Sequence, residues 1–177
     1  MLKCADASDQ ITLGYKADSS QLSLKIFSDS KNANFNLNLF TLNNEALQIP
    51  ETKYSAMVVI SSSFFSKICK DLGQLAENVK IEVTPKAILF SIEGETASGT
   101  IEKSPSGGKG DDIVTIDCQE KVSNVFSLTF LKFFNKAAPL SDNVKLCFNE
   151  DSPLVVEYGM GDLGSLKFYL APKINEE

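Results

Sequence analysis

The chain has 177 residues, a net charge of −6 and no histidine. This length suffices for one domain with a full core and part of another. The longest aliphatic runs, such as Met57–Ile60, are too short to span a membrane, and no apolar signal core follows Met1. Without histidine, a Ser-His or Cys-His nucleophile system is excluded and zinc lacks its commonest nitrogen ligand. We therefore expect no catalytic residue, no metal and no cofactor.

The cysteines are scattered, with no CxxC motif and no paired spacing. This usage predicts reduced and buried thiols in an intracellular protein. The four positions are Cys4, Cys69, Cys118 and Cys147.

Internal repeats organise the chain. ENVKIEV at 77–83 recurs as DNVKLCF at 142–148, and SDQITLGYKADSS at 8–20 aligns with SDNVKLCFNEDSP at 141–153. FFSKICKDL at 64–72 recurs as FLKFFNKAA near 130–138, and we align Lys67 with Lys132 and Ile68 with Phe133. The repeats predict an α+β fold, with a βαβββ unit taken twice between residues 54 and 174.

Within each complete unit, a strand at Tyr54–Ile60 or Val122–Leu128 leads into a helix. Ser61–Ser63 are candidate N-caps of the first helix, at 63–74, and Pro139 closes the second, near 129–137. Three strands follow the first helix, around 78–84, 87–93 and 98–103. The predicted core stripe of the first helix is Phe64, Phe65, Ile68, Leu72 and Leu75.

Residues 1–39 align only with the C-terminal part of such a unit. We expect this segment to be a remnant of a first domain, joined by a connector at 40–53 to a complete domain at 54–177. By the repeat lengths, roughly 80 residues of the first domain are missing, including two helices over its sheet. Apolar residues of the remnant are then expected to face water or another chain: Ile11, Leu13, Leu22, Leu24 and Ile26.

The connector region, LFTLNNEALQIPETKY at 39–54, follows neither a helical nor a strand period. Asn43-Asn44 and Ile49-Pro50 interrupt it. Two interpretations stay open. Its leucines and isoleucine offer a hydrophobic strip to a partner protein, or they pack down as part of an ordinary interdomain linker.

Lysines recur on the outward faces of the predicted helices. Lys67 and Lys70 share one stripe, Lys132 and Lys136 share another, and Lys3 holds the position of Lys136 in the first unit. An ordinary solvated helix face explains any single lysine, but the recurrence favours a basic surface for a phosphate backbone. No aromatic or amide cluster accompanies these lysines to stack or read bases. We therefore expect binding without sequence preference.

Several motifs carry a resemblance that covers the whole chain. They are LKCA at 2–5, IPE at 49–51, YS at 54–55, FxxICKDL at 65–72, FFxKAxPLS at 133–141, PLVVEY at 153–158 and LKFYLAPKI at 166–174. In these the chain resembles the eukaryotic proliferating cell nuclear antigen family of DNA sliding clamps. The resemblance implies the DNA-clamp (processivity) fold and a nuclear, non-enzymatic homotrimer. Such a ring encircles double-stranded DNA independently of sequence in replication and repair.

The resemblance also implies partners and site residues. The partners are a clamp loader, and DNA polymerases and repair proteins that bear a short hydrophobic-aromatic docking peptide. The DNA-facing residues are Lys3, Lys67, Lys70, Lys132 and Lys136. The partner groove comprises Leu47, Ile49, Pro50, Pro153, Tyr169, Ala171, Pro172 and Lys173. The subunit interface pairs the edge strands Phe35–Leu39 and Thr96–Lys103, with Phe35, Leu37, Gly99 and Ile101 as its contacts.

The chain also departs from the family pattern. Its connector is less acidic, and the lysine that the family modifies with ubiquitin-like proteins falls at Pro85, one place before Lys86. Because the first segment is incomplete, an alternative function is a truncated clamp fragment. It would act only as a protein-interaction module and form a closed trimer poorly.

Overall fold

The computed structural model describes residues 2–40, 53–94, 97–107, 113–150 and 152–173. The chain divides into two compact units, Met1–Pro50 and Glu51–Glu177. Among the described residues, no helix has the length and apolar content needed to cross a membrane.

The first unit is a three-stranded antiparallel sheet that follows a 3₁₀ turn at Leu2–Cys4. Its strands, in sheet order, are β1 (Gln10–Tyr15), β2 (Gln21–Ser28) and β3 (Lys31–Asn38). The register pairs Leu24 of the central strand with Leu13 on one side and Phe35 on the other. Because side chains alternate along a strand, the apolar residues of all three strands share one face of the sheet.

The predicted exposure of this apolar face is only partly right. Ile11 and Leu13 on the edge strand β1 are 44% and 65% exposed, but Leu24 and Ile26 are buried and Leu22 is half-buried. Leu24 and Ile26 lie on the central strand, where side chains of both neighbouring strands flank them. Position within the sheet thus separates residues that the strand period treats alike.

The second unit contains two helices and ten strands among its described residues. The helices are α1 (Ser62–Leu72) and α2 (Leu128–Phe134). The strands are β4 (Ala56–Ser61), β5 (Asn78–Thr84), β6 (Ala87–Glu93), β7 (Ser98–Lys103), β8 (Ser106–Gly107), β9 (Ile113–Cys118), β10 (Val122–Ser127), β11 (Asn143–Phe148), β12 (Leu154–Gly159) and β13 (Ser165–Leu170).

The predicted α+β fold with βαβββ repeats is confirmed by this element order. The first repeat runs from β4 through α1 to β7, and the second from β10 through α2 to β13. The hairpin of β8 and β9 is an addition between them. Strand β9 pairs with β4, and it therefore belongs to the sheet rather than to a loop.

The two repeats exchange their leading strands. The sheets have the orders β10-β5-β6-β7 and β13-β12-β11-β4-β9-β8. Strand β4 of the first repeat therefore pairs with β11 of the second, and β10 of the second pairs with β5 of the first. Side chains from both sheets and both helices form one core. This interlocking explains why two repeats make one domain.

The boundaries of the helices correct three sequence-based expectations. α1 begins as expected, since the Ser61 hydroxyl oxygen accepts a hydrogen bond of 3.4 Å from the Phe64 backbone N–H. It ends at Leu72, so Leu75 lies beyond it and is 48% exposed rather than in the core. α2 ends at Phe134 and continues as a 3₁₀ segment, Asn135–Leu140. Pro139 lies inside that segment and does not close the helix.

The alignment of the helices is also shifted by one residue from the predicted one. α1 begins at Ser62 and α2 at Leu128, 66 residues later, whereas β5 and β11 begin 65 residues apart. Lys67 is therefore equivalent to Phe133 and not to Lys132. Ile68 is equivalent to Phe134. The strand repeat was the wrong ruler for the helices because the link from helix to strand is one residue shorter in the second repeat.

The cysteines are free, as the sequence predicts, but they differ in burial. Cys69 and Cys147 are buried, Cys118 is half-buried and Cys4 is exposed. Burial of all the thiols is thus wrong for Cys4, which lies in the 3₁₀ turn that precedes β1.

Candidate nucleic-acid interface and partner surfaces

The two lysines of α1 lie on its exposed side. Lys67 and Lys70 are exposed, while Phe65, Ile68 and Leu72 of the same helix are buried. Both lysines line a cleft of about 960 Å³ between α1 and the 3₁₀ segment. Other residues that line it include Ser61, Ser62, Asp71, Asn135, Pro139 and Asp142. The cleft therefore holds carboxylates as well as lysines.

Lys132 of α2 is exposed and bonds to the end of α1. Its Nζ donates a hydrogen bond of 2.7 Å to the carbonyl oxygen of Gly73. A β-carbon at residue 73 would collide with the Lys132 Cε, so this approach requires glycine. Lys132 thus fixes the contact between the helices while its charge stays at the surface.

Lys136 lies beside an exposed aromatic ring. Its Nζ is 5.1 Å from the centroid of Phe133, within cation–π distance. Phe133 and Phe130 are 55% and 53% exposed. The expectation that no aromatic cluster accompanies the lysines is therefore wrong. The signal was present in the sequence: Leu128 and Leu131 form the buried stripe of α2, and the two phenylalanines lie off it.

A buried hydrogen bond holds the 3₁₀ segment that carries Lys136. Tyr158 of β12 donates its hydroxyl to the Asn135 side-chain oxygen at 2.8 Å. Burial raises the pKa of the nearby Cys69 thiol to about 12, against a smaller opposing effect of the Asn135 side chain. Burial likewise raises the pKa of the Tyr158 hydroxyl. This neutral cluster positions the segment without adding charge beneath it.

Lys3 lies in the 3₁₀ turn of the first unit and is exposed. The turn is tied to β3 by Lys31, whose Nζ donates to the Cys4 carbonyl oxygen. The same Nζ lies 2.7 Å from Asp9 and 3.2 Å from Asp6. These contacts fix the position of the Lys3 backbone within the first unit.

The predicted partner groove is described only in part, because Leu47, Ile49 and Pro50 lie outside the described residues. Pro153 precedes β12, and Tyr169 on the sheet-edge strand β13 is 38% exposed. Beyond β13, Ala171 and Lys173 are exposed and Pro172 is half-buried.

The chain after β13 turns toward the other sheet. The Lys173 backbone N–H donates a 2.8 Å hydrogen bond to the Val125 carbonyl oxygen of β10. Pro172 and Lys173 consequently line a cleft of about 720 Å³ on the four-stranded sheet. Sequence reasoning missed most residues of this cleft: Asn78, Lys80, Ser91, Glu93, Ser123, Asn124, Val125 and Glu150.

The two strands predicted to join subunits are both at sheet edges. β3 is an edge of the first unit's sheet, and β7 is an edge of the four-stranded sheet. Phe35 and Leu37 of β3 are half-buried. On β7, Gly99 is exposed, while Ile101 packs against the core of the second unit. Thr96, at the predicted start of that strand, lies outside the described residues.

Within the described part of the chain, no group of three or more histidine, cysteine or acidic residues is arranged to hold a metal ion. A family model, "Proliferating cell nuclear antigen, C-terminal domain", matches residues 48–173. The match covers the exchanged sheets, both helices and the lysines of α1 and α2. It is a family of DNA sliding clamps, which are non-enzymatic processivity factors of DNA replication. With most of its length matched to that family and a fold of the same kind, this chain belongs to the proliferating cell nuclear antigen family.

Proposed function

We propose that this protein is a DNA sliding clamp that encircles duplex DNA as a homotrimeric ring in the nucleus. A clamp loader would place the ring on DNA. The ring would then tether DNA polymerases and repair proteins through their docking peptides. Its mechanism is topological: lysines neutralise phosphates weakly enough to allow sliding, and closure of the ring supplies the residence time.

The observation that carries the proposal is the exposed helical side of the second unit. Lys67, Lys70, Lys132 and Lys136 are all exposed there, in a protein of net charge −6. No carboxylate occurs in the sequence between Glu120 and Asp142, which includes the whole of α2 and the 3₁₀ segment. A phosphate backbone is the ligand that such a surface attracts without regard to sequence.

The open edges of β3 and β7 support the assembly of a ring. An edge strand has unpaired backbone groups that another chain can complete, and a head-to-tail pairing of two different edges can close into a ring. Gly99 on β7 has open space where a β-carbon would lie and no positive φ. Because the fold of the single chain does not require glycine there, close approach of β3 from a neighbouring subunit is the reason we propose for it.

For the partner groove, we propose the wall Leu47, Ile49 and Pro50 and the floor Pro153 and Tyr169. Ala171, Pro172 and Lys173 would extend the floor. We also propose the domain division at 1–39, 40–53 and 54–177. It is supported by the element order and by the division of the chain into two compact units near residue 50.

The DNA surface is tested by salt dependence. Replacing Lys67, Lys70 and Lys132 together with Ala should weaken duplex binding and lower the slope of log affinity against log salt by up to about one unit per lost phosphate contact. The matched control is Lys80, Lys145 and Lys167 to Ala, which removes the same charge from the sheets. Equal slopes for the two triple variants would contradict the proposal, provided that circular dichroism shows both to be folded.

Ring closure has a separate test. Gly99→Thr should leave the second unit folded but shift light scattering from trimer toward monomer. Gly159→Thr is the control, because Gly159 is exposed at the end of β12 and also has open space around it. A wild-type chain that stays monomeric at micromolar concentration would contradict the ring itself.

A further inference from the structure

We propose that α2 also binds unpaired bases, by stacking them on a surface formed by Phe130, Phe133 and Lys136, here called the aromatic surface. The ligand is single-stranded DNA. The inference rests on the proposed DNA-binding function and adds to it a second form of DNA, such as the single strand beside a duplex end.

Exposure of the rings is the first observation. Phe130 and Phe133 are one helical turn apart and more than half exposed, whereas Leu128 and Leu131 of the same helix are buried. Phe134 shows the alternative: its ring stacks on Phe168 at a centroid distance of 4.6 Å. α2 therefore buries one of its phenylalanines in a ring stack and leaves two rings open to solvent.

The charge around these rings is the second observation. Lys136 lies over the Phe133 ring, and α2 with its 3₁₀ extension contains no carboxylate. Exposed aromatic rings among lysines are the combination that binds single-stranded nucleic acid, because the rings stack on bases while the cations follow the phosphates. This charge complementarity favours a polyanion over a neutral apolar peptide.

The repeat supplies a third observation. Phe133 is equivalent to Lys67, and Lys136 to Lys70, when the two helices are aligned at their first residues. One helix thus presents a cation where the other presents a ring. A ring gains nothing from the phosphates of a duplex, whose bases are already stacked on one another. It gains from a base that is free on one face, which explains why we assign the single strand to α2.

The test compares a fluorescein-labelled oligothymidine with a duplex of the same length, by fluorescence anisotropy at one salt concentration. The double variant Phe130→Leu/Phe133→Leu keeps apolar bulk and helix propensity but removes both rings. We expect single-strand affinity to fall about tenfold while duplex affinity changes by less than about twofold. Tyr15→Leu, which removes a ring that is 61% exposed in the first unit, is the control and should change neither affinity.

A second readout needs no loss of function. The chain contains no tryptophan, so Phe133→Trp introduces a single reporter into the aromatic surface. Stacking of a base on it should quench its emission when oligothymidine is added, and the duplex should quench it less.

Unchanged single-strand affinity in the double leucine variant, or no quenching of the tryptophan, would overturn the inference. A surface that docks a protein instead would give that result. Duplex binding with its lysine-dependent salt slope would survive such an outcome, so the proposed clamp function and this inference fail separately.

Discussion

The Nζ of Lys132 on α2 donates a hydrogen bond of 2.7 Å to the carbonyl oxygen of Gly73, one residue beyond the end of α1. A cation at this place satisfies a carbonyl that the helix leaves unpaired and complements the helix dipole. The contact also links the helix of one repeat to the helix of the other. Lys132 therefore has a structural role in addition to the DNA-facing role that we propose for it.

The first prediction concerns the stability that this contact provides. Lys132→Ala should lower the free energy of unfolding by about 1 kcal/mol, the usual net value of a hydrogen bond, because the Gly73 carbonyl loses its partner. Lys67→Ala is the control for loss of a helical lysine and should change the free energy by less than about 0.5 kcal/mol. Urea unfolding monitored by circular dichroism measures both. Equal effects would show that the Gly73 contact contributes nothing.

The second prediction follows from the exchanged leading strands. A fragment 53–119 retains β4 to β9 but lacks β10, the partner of β5, and a fragment 121–173 lacks β4, the partner of β11. Each fragment alone should be largely unfolded, and an equimolar mixture should recover the circular dichroism and cooperative unfolding of the second unit. Cooperative unfolding of either fragment alone would contradict this dependence.

The third prediction is a pH dependence at Cys69. Its thiol has an ordinary pKa of 9.0 that burial raises to about 12 in the folded protein. Between these values the unfolded chain loses the thiol proton and the folded chain keeps it. The stabilising contribution is therefore complete below pH 9 and is lost as the pH rises toward 12.

Comparison with Cys69→Ala isolates this effect from the titration of lysines and tyrosines. The wild type should be the more stable protein at pH 8, and its advantage in free energy of unfolding should shrink steadily above pH 9. Urea unfolding at a series of pH values measures the difference. A constant difference up to pH 11 would contradict the prediction.

The fourth prediction concerns the turn that carries Lys3. The backbone N–H of Asp6 and then the Lys31 ammonium lower the pKa of the Asp9 carboxyl below its ordinary 3.8. The contribution of this carboxylate is present above pH 3.8 and is lost as the pH falls through the lower, folded value. Asp9→Asn should thus reduce protection of the Asp6 amide, which donates to Asp9 at 3.0 Å.

Hydrogen exchange at pH 6 measures that protection. Lys31→Met should reduce it as well, whereas Lys25→Met, on the exposed side of β2, should leave it unchanged. Full protection of the Asp6 amide in both the Asp9 and the Lys31 variants would show that the turn holds its shape without this cluster.

Local patterns in the sequence determined the elements and their repetition. Alternation predicted the strands β5, β6 and β7, Ser61 was recognisable as the N-cap of α1, and recurring segments predicted the βαβββ order. These features depend on residues close together in the chain. A strand period or a capping hydroxyl acts over a few residues, so it can be recognised without knowing what packs against it.

Only the tertiary structure decided which residues meet and which stay exposed. The exchange of β4 and β10, the contact from Lys132 to Gly73 and the burial of Leu24 all depend on partners distant in sequence. The exposure of Leu75 and Phe133 has the same cause, since a helical period gives the spacing of a stripe but not the residue at which the helix ends or the width of its buried face. Burial is a property of the surroundings, and those are set when separate segments of the chain pack together.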